Sequence, residues 1–128
     1  DYFILLEPTS PLRSLNDIKK GLSKMILTDS DNIVSISENI SCSPEFLYSM
    51  NKKNKIKPYL IKNNLHTRRQ DIKNKTDFLN GTFYISNVKR FLRSRNLFKN
   101  ALGYITKKKY SFEIDDKFDL NIIKYLMK

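Results

Sequence analysis

The sequence predicts an α/β domain organised around a parallel βαβ unit, and three observations carry that prediction. Residues 2–6 form a short apolar run of strand composition. Residues 14–26 place apolar side chains at helical spacing, and residues 33–37 (Ile-Val-Ser-Ile-Ser) return to strand alternation. Strand, helix and strand in that order are the unit from which parallel sheets are built.

Each element has a local reason. The run Tyr2-Phe3-Ile4-Leu5-Leu6 is apolar at every position, as expected of a strand covered on both faces. Two prolines and two hydroxyl residues in Glu7-Pro8-Thr9-Ser10-Pro11 force a rigid turn. Ser14 caps the helix that follows, with Asp17 three residues on, and Leu15, Ile18, Leu22, Met25 and Ile26 are expected to face inward. Residues 28–32 end the helix. From 46 to 78 the periodicity is weak, with one extended candidate at 58–61. So long a stretch is functional or packs on a partner subunit. Its apolar residues, among them Tyr48, Ile56 and Tyr59, need a surface to cover them.

Regular structure resumes at Gly81-Thr82-Phe83-Tyr84-Ile85, rich in strand formers. Asn87 caps a short helix carrying Val88, Phe91 and Leu92, and residues 97–102 read as a second weak helical piece. Residues 104–106 and 110–114 read as extended. Asp115 or Asp116 then caps a closing helix with Phe118, Ile122, Leu126 and Met127 inward.

Composition narrows the class. Of 128 residues, 40% are hydrophobic and 29% charged, with mean hydropathy −0.50, and no apolar run reaches the ~18 residues of a membrane-spanning helix. Seven Tyr and eight Phe give enough apolar material for a core, which argues against disorder. Cys42 stands alone, so no internal disulfide forms and a reducing, cytoplasmic setting is expected. The chain opens without Met and without a signal-like segment, and reads as the later part of something longer. Twenty-four Lys and Arg against thirteen Asp and Glu give a net charge of +11, which favours anionic partners. A nucleic-acid-binding module is therefore the rival reading. Against it, the aromatics form no RNA-binding strand signature and the lysines are spread through loops.

Three clusters carry chemistry. In the first, Glu7, Thr9, Ser10 and Arg13 present a carboxylate, two hydroxyls and a guanidinium from one rigid turn. The second joins Arg68-Arg69-Gln70-Asp71 to the strand beginning at Asn80. Arginines grip carboxylate or phosphate in bidentate fashion. Alternation puts Asn80, Thr82 and Tyr84 on one strand face, a hydrogen-bonding surface suited to a sugar, while Gly81 admits close approach. The third is Glu113-Ile114-Asp115-Asp116 with Asp119. Glu113 and Asp115 face one way on an extended segment, as hard oxygen ligands for magnesium, or the aspartates cap the last helix. His66, the one histidine, has no partner placed by a motif.

Taken together, Leu6-Glu7-Pro8-Thr9-Ser10-Pro11-Leu12-Arg13, Arg68-Arg69-Gln70-Asp71, Asn80-Gly81-Thr82-Phe83-Tyr84-Ile85 and Glu113-Ile114-Asp115-Asp116-Lys117-Phe118-Asp119 resemble, in order, the motifs of acylneuraminate cytidylyltransferases. The resemblance covers residues 2–126. It implies a Rossmann-like nucleotidyltransferase fold whose N-terminal, CTP-binding part is missing here. It also implies a dimerisation arm at 46–78, a homodimer, and Mg2+ as cofactor. The implied reaction joins CTP to an acidic nine-carbon sugar, releasing pyrophosphate, in the cytoplasm and with no nucleic acid or membrane partner. Asp115 matches the metal-binding aspartate and Glu113 its carboxylate neighbour. Arg69 matches a basic residue near the sugar, and Asn80 and Tyr84 match sugar contacts. Glu7 stands where many members have a sugar-contacting Gln. Ser10, Arg13 and Gln70 complete the substrate-binding set, and Asp115 with Arg69 is the catalytic pair. Three departures accompany the match: Phe78 stands where many sialic acid enzymes carry a second Arg, the spacing from Arg69 to Asn80 is one residue longer than the family's, and Ile72-Lys73 replaces the usual Leu-Pro.

Overall fold

The computed structural model describes residues 1–39, 43–60, 68, 70 and 76–128. The chain divides into two units, Asp1–Ser37 with Leu79–Lys128, and Glu38–Phe78.

The first unit is a mixed α/β layer. Its sheet contains β1 (Tyr2–Leu5), β2 (Asn32–Glu38), β5 (Asp77–Asn87) and β6 (Ala101–Ile105) in the order β1-β5-β2-β6. β1 runs antiparallel to β5, with Ile4 opposite Ile85, and β2 runs parallel to β6, with Val34 opposite Gly103. The predicted βαβ unit is present as β1, α1 (Leu15–Thr28) and β2, but β5 lies between its two strands. β1 is consequently an edge strand. Tyr2, Ile4 and Leu5 are exposed, not covered on both faces as the apolar run suggested.

Local signals explain the helices. Ser14 caps α1 by accepting from the Asp17 N–H (3.3 Å), and Asp29, in the left-handed region at φ 48°, ends it. Asn87 caps α2 (Val88–Ser94) through the Arg90 N–H, 3.1 Å away. Asp116 and Asp119 form a reciprocal capping box on α3 (Lys117–Leu126).

The core joins Ile18 and Met25 of α1 to Ile33 of β2 and Phe83 and Ile85 of β5, with Leu22 and Tyr104 packed against them. Gly21 sets the distance between helix and sheet, since a Cβ there would stand 2.9 Å from Phe83 Cε2. This close approach explains a correction. The buried stripe of α1 is Ile18, Gly21 and Met25, while Leu15 and Ile26 are exposed. Sequence periodicity favoured large apolar residues and passed over the glycine that makes the contact. α3 turns likewise. Ile123 is its buried residue, whereas Phe118 (71% exposed), Leu126 and Met127 face solvent. Residues 97–100 form a turn, not a helical piece, and Tyr110, expected to open an extended segment at 110–114, closes a 3-10 turn instead (Lys108–Tyr110).

The sheet also buries polar groups. Ser86 donates to Asn32 Oδ1 (2.6 Å), and the Asn32 amide donates to the Lys99 carbonyl at 2.6 Å. Asn80 is fully buried, its amide nitrogen donating to Ser37 Oγ (2.7 Å) and Thr106 Oγ1 (2.6 Å). These bonds tie together three strand ends of the sheet.

The second unit holds a 3-10 turn (Pro44–Phe46) and a hairpin of β3 (Tyr48–Met50) and β4 (Ile56–Pro58). The Asn51 side chain shapes the hairpin turn by accepting from the N–H groups of Lys53 (2.9 Å) and Lys55 (3.0 Å). Tyr48 stands opposite Pro58 and Met50 opposite Ile56, so all four share one hairpin face, and Met50 and Ile56 are 67% and 65% exposed. The extended candidate at 58–61 is in fact 56–58; Ile61 lies outside the described residues.

Asn80→Ala removes two buried donor contacts and leaves Ser37 and Thr106 without their shared partner. Urea unfolding should show a loss of about 2–3 kcal/mol, with Ser37→Ala milder.

Candidate functional site

The site is built where the turn at 7–13 meets the segment at 113–115 across Gly81. Two cross-connections hold the segments together: the Ile114 N–H donates to the Thr9 carbonyl (2.9 Å), and the Ser10 hydroxyl donates to Glu113 Oε1 (3.4 Å). Ser10 is fully buried, and its N–H closes the turn onto the Glu7 carbonyl at 3.1 Å. Arg13 locks this turn. Its Nε donates to the Ser10 carbonyl (2.9 Å) and its Nη2 to the Glu7 carbonyl. Expected as a substrate ligand, Arg13 spends these donors on the backbone of the turn that presents Glu7 and Ser10.

Gly81 makes room for the meeting. It sits at φ +60°, and a Cβ there would collide with Glu113 Oε1 and stand 2.9 Å from Glu7 Oε2. The left-handed residue also breaks the period-two alternation read from the sequence. Phe83 and Ile85 enter the core as expected. Gly81, however, faces Glu7 and Glu113, the two carboxylates that also act on Tyr84.

Two carboxylates and a phenol therefore converge. Burial raises the Tyr84 phenol above its usual value, and Glu7 adds to the rise by its charge and its polar contact with the hydroxyl, with Glu113 adding further. The Tyr84 ring packs edge-on against Phe98, 6.3 Å between centroids. Burial is also the largest cause of the raised Glu113 pKa. The charges of Glu7 and Asp115 push the same way, against the hydrogen bond from Ser10. The electrostatic picture is a half-buried acidic cluster in a strongly basic chain.

The sequence-predicted residues meet different fates. Glu7, Ser10, Tyr84 and Glu113 are brought together. Asp115 follows closely but is exposed, its N–H donating to Asp119 Oδ2 (3.1 Å). Asn80 adjoins Gly81 in the chain, yet its amide is committed to Ser37 and Thr106. Arg68 and Gln70 are exposed residues of the second unit. Arg69, Asp71, Cys42 and His66 lie outside the described residues. Sequence reasoning missed Thr82 as an anchor. It read Thr82 as part of an open polar face, whereas its hydroxyl is buried and donates to the Tyr110 carbonyl (3.2 Å), fixing the loop that leads to Glu113.

Among the described residues no three His, Cys, Asp or Glu side chains form a closed metal site. Magnesium needs no such cage, being held by one or two carboxylates and completed by phosphate oxygens and water. Glu113 and Asp115 are the two carboxylates that could hold such an ion, the Asp115 charge being one of the causes that raise Glu113.

Comparison with known proteins bears on this geometry. No family model matches the chain. It is similar to an N-acylneuraminate cytidylyltransferase of Streptococcus agalactiae serotype III (strain NEM316), 30% identical over 126 residues, and to that of serotype V (strain ATCC BAA-611 / 2603 V/R), 29% identical over 126 residues. Each alignment takes in 97% of this chain but 30% of the relative, so the chain spans under a third of the length of the curated relatives it matches. Among the described residues no helix is long and apolar enough to cross a membrane.

The acidic pair yields a direct test. Glu7→Gln removes one of the charges that raise Glu113, so the Glu113 pKa should fall while staying above the ordinary glutamate value, because burial remains the larger cause. Carboxyl-carbon NMR titration of Glu113 in both proteins reads this. The linkage sign follows. A folded-state pKa above the unfolded one gives stability that is full below the unfolded value and is lost as pH rises through the folded value. Glu7→Gln should therefore lessen the loss of stability as pH rises through the Glu113 titration.

Proposed function

We propose that the chain is the C-terminal, sugar- and metal-binding portion of a cytidylyltransferase. The reaction joins CTP to an acidic nine-carbon sugar, giving the CMP-sugar and pyrophosphate. The observation that supports this most is the convergence of Glu7, Ser10, Tyr84 and Glu113 around Gly81, from three of the four motifs that resemble those of the sialic acid enzymes. The fold is then of the Rossmann-like nucleotidyltransferase type, with the CTP-binding part supplied by sequence outside these 128 residues. The partners are CTP and the sugar, not nucleic acid, and the setting is cytoplasmic.

In this reading the anomeric hydroxyl of the sugar attacks the α-phosphate and pyrophosphate leaves. The chain contributes by positioning and by charge. Tyr84 and Glu7 bind sugar hydroxyls at the pocket wall, Ser10 orients Glu113, and Arg13 holds the turn that carries Glu7 and Ser10. Asn80 supports the strand end beneath the sugar, and the motif resemblance adds Gln70 to the sugar-binding set. Arg69 pairs with the sugar carboxylate. Glu113 and Asp115 would hold a magnesium ion, which when bound offsets charge on the phosphates.

Pyrophosphate release from CTP is the measurement. In the complete protein it should require magnesium and an acidic nine-carbon sugar, and Asp115→Asn should lower turnover at saturating CTP by about 100-fold with the fold retained. Wild-type turnover and magnesium dependence in that variant would leave Asp115 as a helix-terminus residue only.

The second unit has its own role in this proposal: it supplies the contact of a homodimer, with residues 46–78 as the arm. An isolated two-stranded hairpin is marginal in water, and the shared face of Tyr48, Met50, Ile56 and Pro58 needs an apolar cover. Sedimentation equilibrium should show a dimer at micromolar protein. Met50→Lys with Ile56→Lys should shift it to monomer, and a wild-type monomer would remove the arm from the proposal.

A further inference from the structure

We infer that the turn carrying Lys107, Lys108 and Lys109 is a phosphate-holding subsite beside the acidic pocket. This rests on the reading of the Glu7–Tyr84–Glu113 pocket as the place of phosphoryl transfer. The pocket presents a difficulty that reading must meet: both proposed substrates are anions, and the pocket wall is lined by carboxylates. Positive charge has to come from nearby. The cation of the 7–13 turn itself is already engaged. Arg13 is spent on the carbonyls of Glu7 and Ser10.

The 107–109 turn is different. It follows β6, one residue beyond Thr106, the residue tied to Asn80, so it leaves the same strand end that Gly81 adjoins. Open α/β sheets place ligands at such ends. The 3-10 turn Lys108–Tyr110 is pinned there because the buried Thr82 hydroxyl donates to the Tyr110 carbonyl. Thr82 is the chain neighbour of Gly81, against which Glu113 packs. Three exposed lysines are thus anchored by a buried side chain next to the pocket. Lys109 lies over the Tyr110 ring, 4.9 Å from its centroid. Lys107 and Lys108 have no carboxylate partner among the described residues. Adjacent ammonium groups repel, and a multiply charged phosphate relieves that repulsion. Lysine serves phosphate as a point charge.

The test uses the isotope-labelled 128-residue chain titrated with inorganic pyrophosphate and followed by amide NMR shifts. Lys107→Ala with Lys108→Ala is compared with Lys19→Ala plus Lys20→Ala on α1, which removes the same charge elsewhere. Pyrophosphate should shift amides of residues 107–111, with affinity about tenfold weaker in the turn variant and changed less than about twofold in the control. Equal weakening in both variants would overturn the subsite in favour of general charge attraction. Shifts at the turn with none at Gly81 or Tyr84 would uphold the subsite and count against the pocket reading on which its role depends. CTP and cytidine run alongside. CTP acting like pyrophosphate supports phosphate recognition, and cytidine alone shifting the same amides overturns it. A single-stranded RNA that binds where pyrophosphate does not would also overturn it.

Discussion

The left-handed backbone at Gly81 is the constraint on which the candidate site depends. A side chain at this position would occupy the space where Glu113 now lies and press on Glu7. Removing the Cβ therefore does two things at once. It permits φ +60°, a conformation other residues adopt only with strain, and it lets two carboxylates from segments far apart in sequence approach one strand. The cost of that approach is visible in the raised Glu113 pKa, where burial and the neighbouring charges of Glu7 and Asp115 all favour the protonated form. Ser10 opposes them with one hydrogen bond, and the segments stay together because the Thr9 carbonyl and the Ile114 N–H are paired.

A second layer of support lies behind this pocket and is wholly neutral. Asn80, Ser37 and Thr106 form a buried polar triangle, and Thr82 reaches the Tyr110 carbonyl. Buried polar groups of this kind are retained only when each is satisfied. Here they fasten the ends of β2, β5 and the residue after β6 to one another. Residues read from the sequence as a surface for sugar hydroxyls thus divide between two tasks. Asn80 and Thr82 hold the floor, and Tyr84 alone of the three keeps its polar tip toward the carboxylates.

Much of the fold was legible because its signals are local. Caps at Ser14, Asn87 and Asp116 lie where hydroxyl, amide and carboxylate side chains precede apolar runs, and the strands at 33–37 and 81–85 follow strand formers. What escaped was set by distant partners. Which face of α1 is buried depends on Phe83 meeting Gly21, and no periodicity within the helix encodes that. The exposure of Tyr2, Ile4 and Leu5 depends on β1 taking an edge of the sheet, a property of strand order. In the site, residue types announced themselves while their tasks did not. Arg13 is a guanidinium in a turn on either account, and only the carbonyls of Glu7 and Ser10 within its reach show that it grips the turn itself.

The charge of the chain can be placed against this background. A net +11 suggests anion binding over the whole surface, yet the described pocket is acidic. The two facts are compatible when charge is partitioned by depth. Carboxylates occupy the half-buried positions, where a fixed cation or a sugar hydroxyl can satisfy them at close range. Lysines such as Lys107 and Lys108 stay exposed, where water keeps their charge inexpensive and their field extends about 8–10 Å at ordinary salt. On the proposed reading, a polyanion approaching such a surface would be drawn in by the rim and would meet the carboxylates last, with a divalent cation between them. Reversing that order, with cations deep and carboxylates outside, would desolvate the lysines and repel the ligand before contact.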